Sequence, residues 1–190
     1  GADLLLYGMG EKSIVQLADA LDGGLNIKDV TYISGSAYMT ETTEQIYNAL
    51  EIESFEEVKN SKESYCRAFM AQMQNQNHLS GKTLVQRHGK SFVVVNPPAE
   101  PLTQRELDEV YALPYTHRPH PMYDALGGIP AISEVEFSIT ANRGCAGACS
   151  FCAITFHQGR VLQSRSEESV VKEARLLTSL PGFKGYIHDV

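Results

Sequence analysis

NRGCAGACSFC, residues 142–152, contains three of the four cysteines in this 190-residue chain. Their spacing is Cys145-x3-Cys149-x2-Cys152, and the aromatic Phe151 directly precedes the third cysteine. Thiolates are the ligands that iron–sulfur clusters select, and small residues between them let the backbone approach an inorganic cluster closely. The stretch therefore indicates a metal-binding loop, and an iron–sulfur cluster is its simplest occupant.

The same three cysteines are also compatible with a helix or with a zinc site. A spacing of i, i+4, i+7 places three thiols on one face of a helix, where they would be buried structural residues. Against this, Gly144, Gly147 and the strand predicted just before them favour a loop, and the small residues Ala146, Gly147 and Ala148 would let its backbone approach a cluster. Zinc is the second alternative, because His157 lies five residues after Cys152 and would complete a Cys3His set. Structural zinc sites usually draw ligand pairs from two separate knuckles, whereas these thiols share one loop.

The sequence predicts a strand before the cysteine loop and a helix and a second strand after it. Residues 135–140 alternate apolar and polar side chains, which predicts a strand leading into the loop. After the loop, Ser164 and Glu167 have the spacing of a capping box and begin an apolar helical face. Residues 183–190 predict a second strand. The sequence thus predicts a β-loop-α-β unit, whose parallel strands would be connected with right-handed topology.

The N-terminal region predicts further strands and helices. Residues 3–7 form an apolar run, a Gly-x-Gly turn follows, and apolar residues then recur at helical spacing, so we predict a buried parallel strand and a helix. The turn could hold a phosphate, but a dinucleotide site would need glycine where Ser13 stands, which favours a plain turn. Residues 30–33 predict another strand, and residues 43–50 a short helix.

A longer helix is predicted from Ser54 to the neighbourhood of His78. Ser54 and Glu57 have capping-box spacing, and apolar residues continue one helical face behind them. Cys66 lies beside this stripe, so we predict a small buried hydrophobe and not a metal ligand.

A β-hairpin is predicted next, from residues 83–86 and 91–95. Gly89 would supply its turn, and His88 would be a turn residue without a catalytic role.

Seven of the eight prolines lie within residues 97–130, which indicates a connector with a restricted backbone. One helix interrupts it, because Thr103 and Glu106 have capping-box spacing. His117 and His120 are three residues apart, but the proline between them prevents one regular helical face from presenting both. Packing is therefore the predicted role of these histidines.

The predicted fold class is α/β, in three parts. Residues 1–96 would form an α/β accessory domain, residues 97–134 the proline-rich connector, and residues 135–190 the β-loop-α-β unit. A hydrophobic content of 43% and a charged content of 21% are ordinary for a soluble globular protein. The sequence has neither a secretory signal nor an apolar run of the ~20 residues that span a bilayer. We therefore expect a cytoplasmic protein without a membrane partner.

The formal charge of −7 is unevenly distributed. Residues 141–190 carry six Lys/Arg and four acidic residues, a net charge of +2, so the first 140 residues carry −9. The positively charged region, residues 141–190, contains the three clustered cysteines. It would suit an anionic ligand, and it equally suits a solvated helix face of mixed charge.

The cysteine loop and the strand predicted before it resemble the signature of the radical S-adenosylmethionine (radical SAM) superfamily. The wider context resembles the YgiQ-like family of bacterial radical SAM proteins, through SITANRGC at residues 138–145, FCAI at 151–154 and HQGR at 157–160. LPY at 113–115 and HPMY at 120–123 are similar to that family too. The resemblance implies a Rossmann-like accessory region followed by the first unit of a partial (β/α) barrel, with the cysteine loop at the edge where such barrels place their chemistry.

The resemblance also implies a chemistry. Cys145, Cys149 and Cys152 would hold a [4Fe–4S] cluster whose fourth iron binds the amino and carboxylate groups of S-adenosylmethionine. Reduction by a donor such as flavodoxin or ferredoxin would cleave S-adenosylmethionine to methionine and a 5′-deoxyadenosyl radical, which abstracts hydrogen from a substrate. Phe151 would lie against the adenosine. Neither a catalytic residue nor a substrate is implied.

Some features of the superfamily are missing from the sequence. Its glycine-rich S-adenosylmethionine segment follows the second strand and does not occur before Val190, so we expect a fragment, cut at both ends, that is inactive alone. The first strand, glycine turn and helix resemble the last part of a cobalamin-binding-like Rossmann domain. No Asp-x-His-x-x-Gly motif occurs, and cobalamin is therefore not predicted.

Two alternative functions remain open. One is a non-catalytic zinc-binding or structural interaction module. The other is an RNA-modifying, methylthiotransferase-like radical SAM enzyme. The charge of −7 and the lack of a dense basic and aromatic patch disfavour nucleic acid as a partner.

Overall fold

The computed structural model describes residues 2–147, 149 and 151–190 of the chain. Ala148, one of the small residues expected to let the backbone approach a cluster, lies outside the described residues. The chain divides into two compact units, one of Gly1–Pro101 with Gly144–Val161 and one of Leu102–Arg143 with Leu162–Val190. The cysteine loop thus belongs to the unit that contains the N-terminal region. The domain boundaries predicted after residues 96 and 134 stay predictions, because compactness does not show which parts fold independently.

Within the described residues, five strands of the first unit form one sheet. They are β1 (Leu4–Leu6), β2 (Ser36–Thr40), β3 (Leu50–Ile52), β4 (Leu84–His88) and β5 (Ser91–Val95). The order is β1-β2-β5-β4-β3, with β3 parallel to β4 and the other pairs antiparallel. The helices of this unit are α1 (Glu11–Asp22), α2 (Phe55–Asn60), α3 (Lys62–Gln74) and, after the cysteines, α6 (Ile154–His157). The predicted α/β class with a Rossmann-like accessory region is confirmed, whereas the parallel pairing predicted for the first strand is wrong, since β1 is antiparallel to β2.

The strand predicted at residues 30–33 is wrong, although its apolar residues are core residues. Val30 and Ile33 are each 1% exposed. The amide nitrogen of the Asn96 side chain donates hydrogen bonds to the carbonyl oxygens of Thr31 and Ile33, at 2.8 and 3.1 Å. Because the Asn96 side chain donates hydrogen bonds to these carbonyls, they are satisfied without pairing to a neighbouring strand.

The helix predicted at residues 43–50 is also wrong. Asn48 has a φ of 55°, in the left-handed region that a right-handed helix does not contain. The N–H of Leu50 then donates to the carbonyl of Thr83 at 2.8 Å, which starts the parallel pairing of β3 with β4. Pairing with a strand distant in sequence overrides the local helical pattern here.

The helix predicted from Ser54 is present as two helices. The capping box is confirmed, because the Glu57 carboxylate accepts from the Ser54 N–H at 2.9 Å and the Ser54 hydroxyl accepts from the Glu57 N–H at 3.4 Å. Ser61 interrupts the helix with an extended backbone, and its side chain caps α3 by accepting from the N–H of Ser64 at 3.2 Å. A second capping residue therefore divides the predicted helix.

The prediction that Cys66 is buried is wrong, since Cys66 is exposed. Helix α3 buries Ser64 and Ala68 instead. Of its apolar stripe, Tyr65 is 57% and Phe69 41% exposed. The apolar face of α3 is thus only partly used by the core of its own unit.

The predicted hairpin is confirmed as β4 and β5. Gly89 stands at its turn with a φ of 62°. His88 is not a turn residue, because it ends β4 opposite Ser91, and its ring stacks on that of Phe55 with centroids 4.8 Å apart.

The second unit combines short strands with helices, all within the described residues. They are α4 (Gln104–Tyr111), α5 (Ile132–Val135), β6 (Asn142–Arg143), β7 (Gln163–Ser164) and α7 (Glu167–Ser179). The capping box of Thr103 and Glu106 is confirmed at the start of α4. The one predicted at Ser164 is wrong, because Ser166 caps α7 by accepting from the N–H of Ser169.

The strands predicted at residues 135–140 and 183–190 are not formed as regular strands. Helix α5 ends at Val135, yet two backbone hydrogen bonds still join the predicted pair. Ile139 N–H donates to Asp189 O at 2.9 Å, and His188 N–H donates to Phe137 O at 3.0 Å, one residue out of step with a regular parallel ladder. An isolated two-stranded pair is marginally stable, and among the described residues no regular strand pairs with either of these segments. Among the described residues, no helix has the length and apolar character needed to cross a bilayer.

The core of the second unit lies between α7 and this irregular pair. Phe137, Ile139 and Leu177 are 5%, 4% and 0% exposed, and the rings of Phe137 and Phe183 meet edge to face with centroids 5.5 Å apart. The alternation of residues 137 and 139 therefore places both side chains against one helix, as the sequence pattern predicts.

Leu177→Ala is expected to lower the free energy of unfolding by about 2–5 kcal/mol, because it leaves a cavity where a fully buried side chain stood. Urea denaturation followed by circular dichroism measures the loss. Leu176→Ala is the matched control, since Leu176 is the neighbouring residue and 47% exposed. Its expected cost is below about 1 kcal/mol. Equal losses in the two variants would contradict the assignment of Leu177 to the core.

Candidate metal centre

The segments on either side of the cysteine loop are paired in the second unit. Strand β6 is antiparallel to β7, with Asn142 opposite Ser164 and Arg143 opposite Gln163. The N–H of Arg165 extends the pairing by donating to the carbonyl of Ala141 at 2.9 Å. These bonds give the residues before and after the loop a fixed register.

The side chain of Arg165 is a buried support for this pairing. It is 1% exposed, forms an ion pair with Glu173, and donates to the Thr140 carbonyl at 3.1 Å. It also donates to the Ser169 hydroxyl at 2.9 Å and lies 4.3 Å from the ring centroid of Tyr111. All of its donors serve neighbouring groups, so its role is structural. The sequence indicated only a basic residue here, because the partners lie up to 54 residues away in the chain.

Asp108 of α4 holds the start of α7. Its carboxylate accepts a hydrogen bond from the Ser166 N–H at 2.9 Å. Desolvation raises the pKa of Asp108, but hydrogen bonds from Ser166 and Ser169 and the charge of Arg165 outweigh it, so that the pKa lies below the ordinary value. The carboxylate therefore stays ionised at neutral pH and keeps its partners.

The cysteine loop starts at Gly144 with a backbone that requires glycine. Gly144 has a φ of 87°, and a Cβ placed on it would lie 2.2 Å from the carbonyl oxygen of Val161. Its N–H donates to the side-chain oxygen of Gln158 at 3.0 Å, and the N–H of Cys145 donates to the carbonyl of Gly159 at 3.0 Å. The start of the loop is thus held against residues 158–161.

Two of the predicted ligands, Cys145 and Cys149, lie beside the open space at the Cα of Gly147, which we call the cradle. A Cβ on Gly147 would lie 3.4 Å from the sulfur of Cys145 and 3.6 Å from that of Cys149. The Gly147 N–H also points at the Cys145 sulfur, at 3.4 Å. Space between thiols and backbone N–H groups aimed at sulfur are what an iron–sulfur cluster requires of a loop. Cys145, Cys149 and the Gly147 N–H are therefore compatible with such a cluster.

The third predicted ligand, Cys152, is linked to this cradle through the backbone, because its N–H donates to the carbonyl of Cys149 at 3.0 Å. Cys145 and Cys152 are half-buried and Cys149 is exposed, which argues against three buried structural cysteines. Over the described residues, no three His, Cys, Asp or Glu side chains are grouped as one metal site. Cys145 and Cys149 are thus brought together, and Cys152 is not grouped with them.

Phe151 and His157 are the other two candidates from the sequence. Phe151 is 90% exposed, so its ring is available to a ligand. His157 ends α6 and is exposed. The position of Phe151 against adenosine stays a prediction, as does His157 as a zinc ligand.

Comparison with known proteins gives matches over the whole chain. A family model described as "Radical SAM N-terminal" matches residues 1–138, ahead of the cysteine loop. A UPF0313 protein of Clostridium botulinum is 55% identical over 189 residues, which cover 100% of this chain and 29% of that protein. A UPF0313 protein of Clostridium perfringens is 51% identical over 191 residues, with 100% and 29% covered. The chain thus spans about 29% of the length of these curated relatives. No solved structure matches it.

Proposed function

The chain belongs to the radical SAM N-terminal family, as a YgiQ-like N-terminal region, and from this premise we propose that Cys145, Cys149 and Cys152 bind a [4Fe–4S] cluster. The observation that carries the proposal is the cradle at Gly147, where two thiols lie within 3.6 Å of the position of a Cβ and a backbone N–H points at the Cys145 sulfur. A purely structural role for the cysteines requires neither feature.

The loop residues have distinct roles in this proposal. The three thiolates are the protein ligands, and the Gly147 N–H stabilises negative charge on the Cys145 sulfur. Gly144 and Gln158 fix the start of the loop. When bound, the cluster would supply an iron position free of protein ligands, at which S-adenosylmethionine is held, and the electron that cleaves it to a 5′-deoxyadenosyl radical. Phe151 offers its exposed ring to the adenosine.

The activity is proposed for the longer protein, because this chain spans only 29% of the length of its relatives. We propose flavodoxin or ferredoxin as the class of electron donor, and the cytoplasm as the location. The substrate is left open, and no residue of this chain is assigned a catalytic role. The accessory domain, connector and barrel start at residues 1–96, 97–134 and 135–190 remain part of the proposal.

Loading with iron tests the proposal directly. After anaerobic incubation with iron, sulfide and reductant, the protein is expected to retain about four iron and four sulfide ions per chain, as a [4Fe–4S] cluster requires. Metal analysis after gel filtration gives the numbers, and a parallel incubation with zinc is the comparison. Stoichiometric zinc binding without any iron uptake would contradict the proposal.

That outcome would favour the second candidate, a zinc-binding module. The observation behind it is His157, which ends α6 and lies close to Cys152 in sequence. Thiolates with one imidazole are a common structural zinc set. The two candidates thus differ in whether His157 is needed for metal binding.

A further inference from the structure

The exposed apolar face of α3 meets the segment that follows the cysteines. The ring of Phe69 on α3 lies 6.1 Å from the ring of Phe156 on α6, at an interplanar angle of 43°. One helical turn further along α3, the guanidinium of Arg160 reaches the sulfur of Met73 at 4.0 Å. Two successive turns of α3 therefore contact residues 154–161, which we call the strap.

The same strap holds the beginning of the cysteine loop. Gln158 accepts a hydrogen bond from the N–H of Gly144, and the Gly159 carbonyl accepts one from the N–H of Cys145. Residues 156 and 160 of the strap thus contact α3, while residues 158 and 159 hold the loop. A displacement of the strap from α3 would move both acceptors away from the loop.

We propose that α3 positions the start of the cysteine loop through the strap, and that Phe69 and Met73 are positioning residues for Cys145. The α-helix within the strap is the four-residue α6, too short to be stable without contacts to other parts of the protein. Aromatic pairs contribute measurably beyond the area they bury. Removing the Phe69 ring therefore frees the strap, and with it Cys145, without touching a thiol.

Cysteine alkylation in the metal-free chain measures this coupling. Phe69→Ala is expected to raise the rate at which iodoacetamide modifies the half-buried Cys145 by about three- to tenfold. Peptide mass spectrometry resolves each cysteine, and the exposed Cys149 is the internal reference, with little change expected. Phe69→Tyr keeps the ring and is expected to restore the wild-type rate. Met70→Ala, on α3 beside Phe69 and 52% exposed, is the matched control, with little change expected.

A second pair of variants tests the strap itself. Gln158→Ala removes the acceptor of the Gly144 N–H, whereas Gln158→Glu keeps an acceptor at that position. The alanine variant is expected to reproduce the effect of Phe69→Ala, and the glutamate variant to remain close to wild type. Because the contacts act in series, the two alanine substitutions together are expected to give less than the product of their separate effects. If circular dichroism shows that Phe69→Ala does not fold, the two Gln158 variants still test whether the strap positions Cys145.

A third experiment, on the metal-loaded protein, rests on the proposed function. In protein loaded with iron and sulfide, Phe69→Ala is expected to speed iron loss to a chelator about three- to tenfold and to change the electron paramagnetic resonance signal of the reduced cluster. Wild-type protein that takes up no iron would refute the proposed function, while the alkylation rates would still test the positioning role. Wild-type protein that binds iron, with unchanged Cys145 alkylation in both alanine variants, would overturn the inference alone.

Discussion

Cys149→Ala is expected to abolish cluster binding, with iron per chain falling from about four to near zero after reconstitution. Cys149 flanks the cradle at Gly147, and two remaining thiols cannot hold the three iron positions that need protein ligands. Because Cys149 is exposed, its loss removes no core packing, and the fold is expected to remain intact. Iron and sulfide analysis with circular dichroism on the same sample separates metal loss from unfolding.

Two controls determine what such a loss means. Cys66→Ala removes another exposed thiol, on α3, and is expected to leave iron binding unchanged. His157→Ala is expected to retain the cluster, whereas it would weaken a Cys3His zinc site by about 10-fold or more. Full iron content in Cys149→Ala would show that the loop is not the site.

Gly144→Ala is expected to disrupt the start of the cysteine loop. Alanine at a φ of 87° costs about 1–2 kcal/mol, and its Cβ would lie 2.2 Å from the backbone oxygen of Val161, which adds about 1–3 kcal/mol of overpacking. A total near 3 kcal/mol lowers the population of the present conformation by about 100-fold. Hydrogen exchange of the Cys145 amide, now bonded to Gly159, is expected to accelerate, and iron uptake to fall with it.

Gly159→Ala is the matched control for this prediction. Gly159 has a comparable φ of 83°, but nothing lies within 4 Å of a Cβ placed on it. Only the backbone strain of about 1–2 kcal/mol is then expected, with a correspondingly weaker effect on exchange. Equal effects in the two variants would show that strain, and not the contact with Val161, governs the loop.

Features that depend on neighbours in sequence could be predicted well. The capping boxes at Ser54 and Thr103 need only a partner three residues away, and both are present. The hairpin needs only Gly89 and two β-prone segments. Residues 30–33 were predicted wrongly because the groups that bind their carbonyls belong to Asn96, more than 60 residues further along the chain.

In the candidate site, too, features set by neighbours in sequence could be predicted and features set by distant residues could not. Spacing indicated Cys145, Cys149 and Cys152 as candidate ligands, which stay predictions, and the small residues between them indicated that the backbone could approach a cluster closely. The support of the loop could not be predicted, because Met73 and Arg160 are separated by 87 residues. An apolar stripe on α3 predicted a buried face, but sequence periodicity does not state which partner covers it.

The buried Arg165 has a consequence for protein engineering. One guanidinium serves Thr140, Ser169 and Glu173 at once, and the single ammonium of lysine cannot reproduce that forked geometry. A chimera that took residues 140–143 from one homologue and residues 163–173 from another would have to preserve all these partners together. We therefore expect these two segments to be exchangeable only together, although 19 residues, including all three thiols, separate them in the chain.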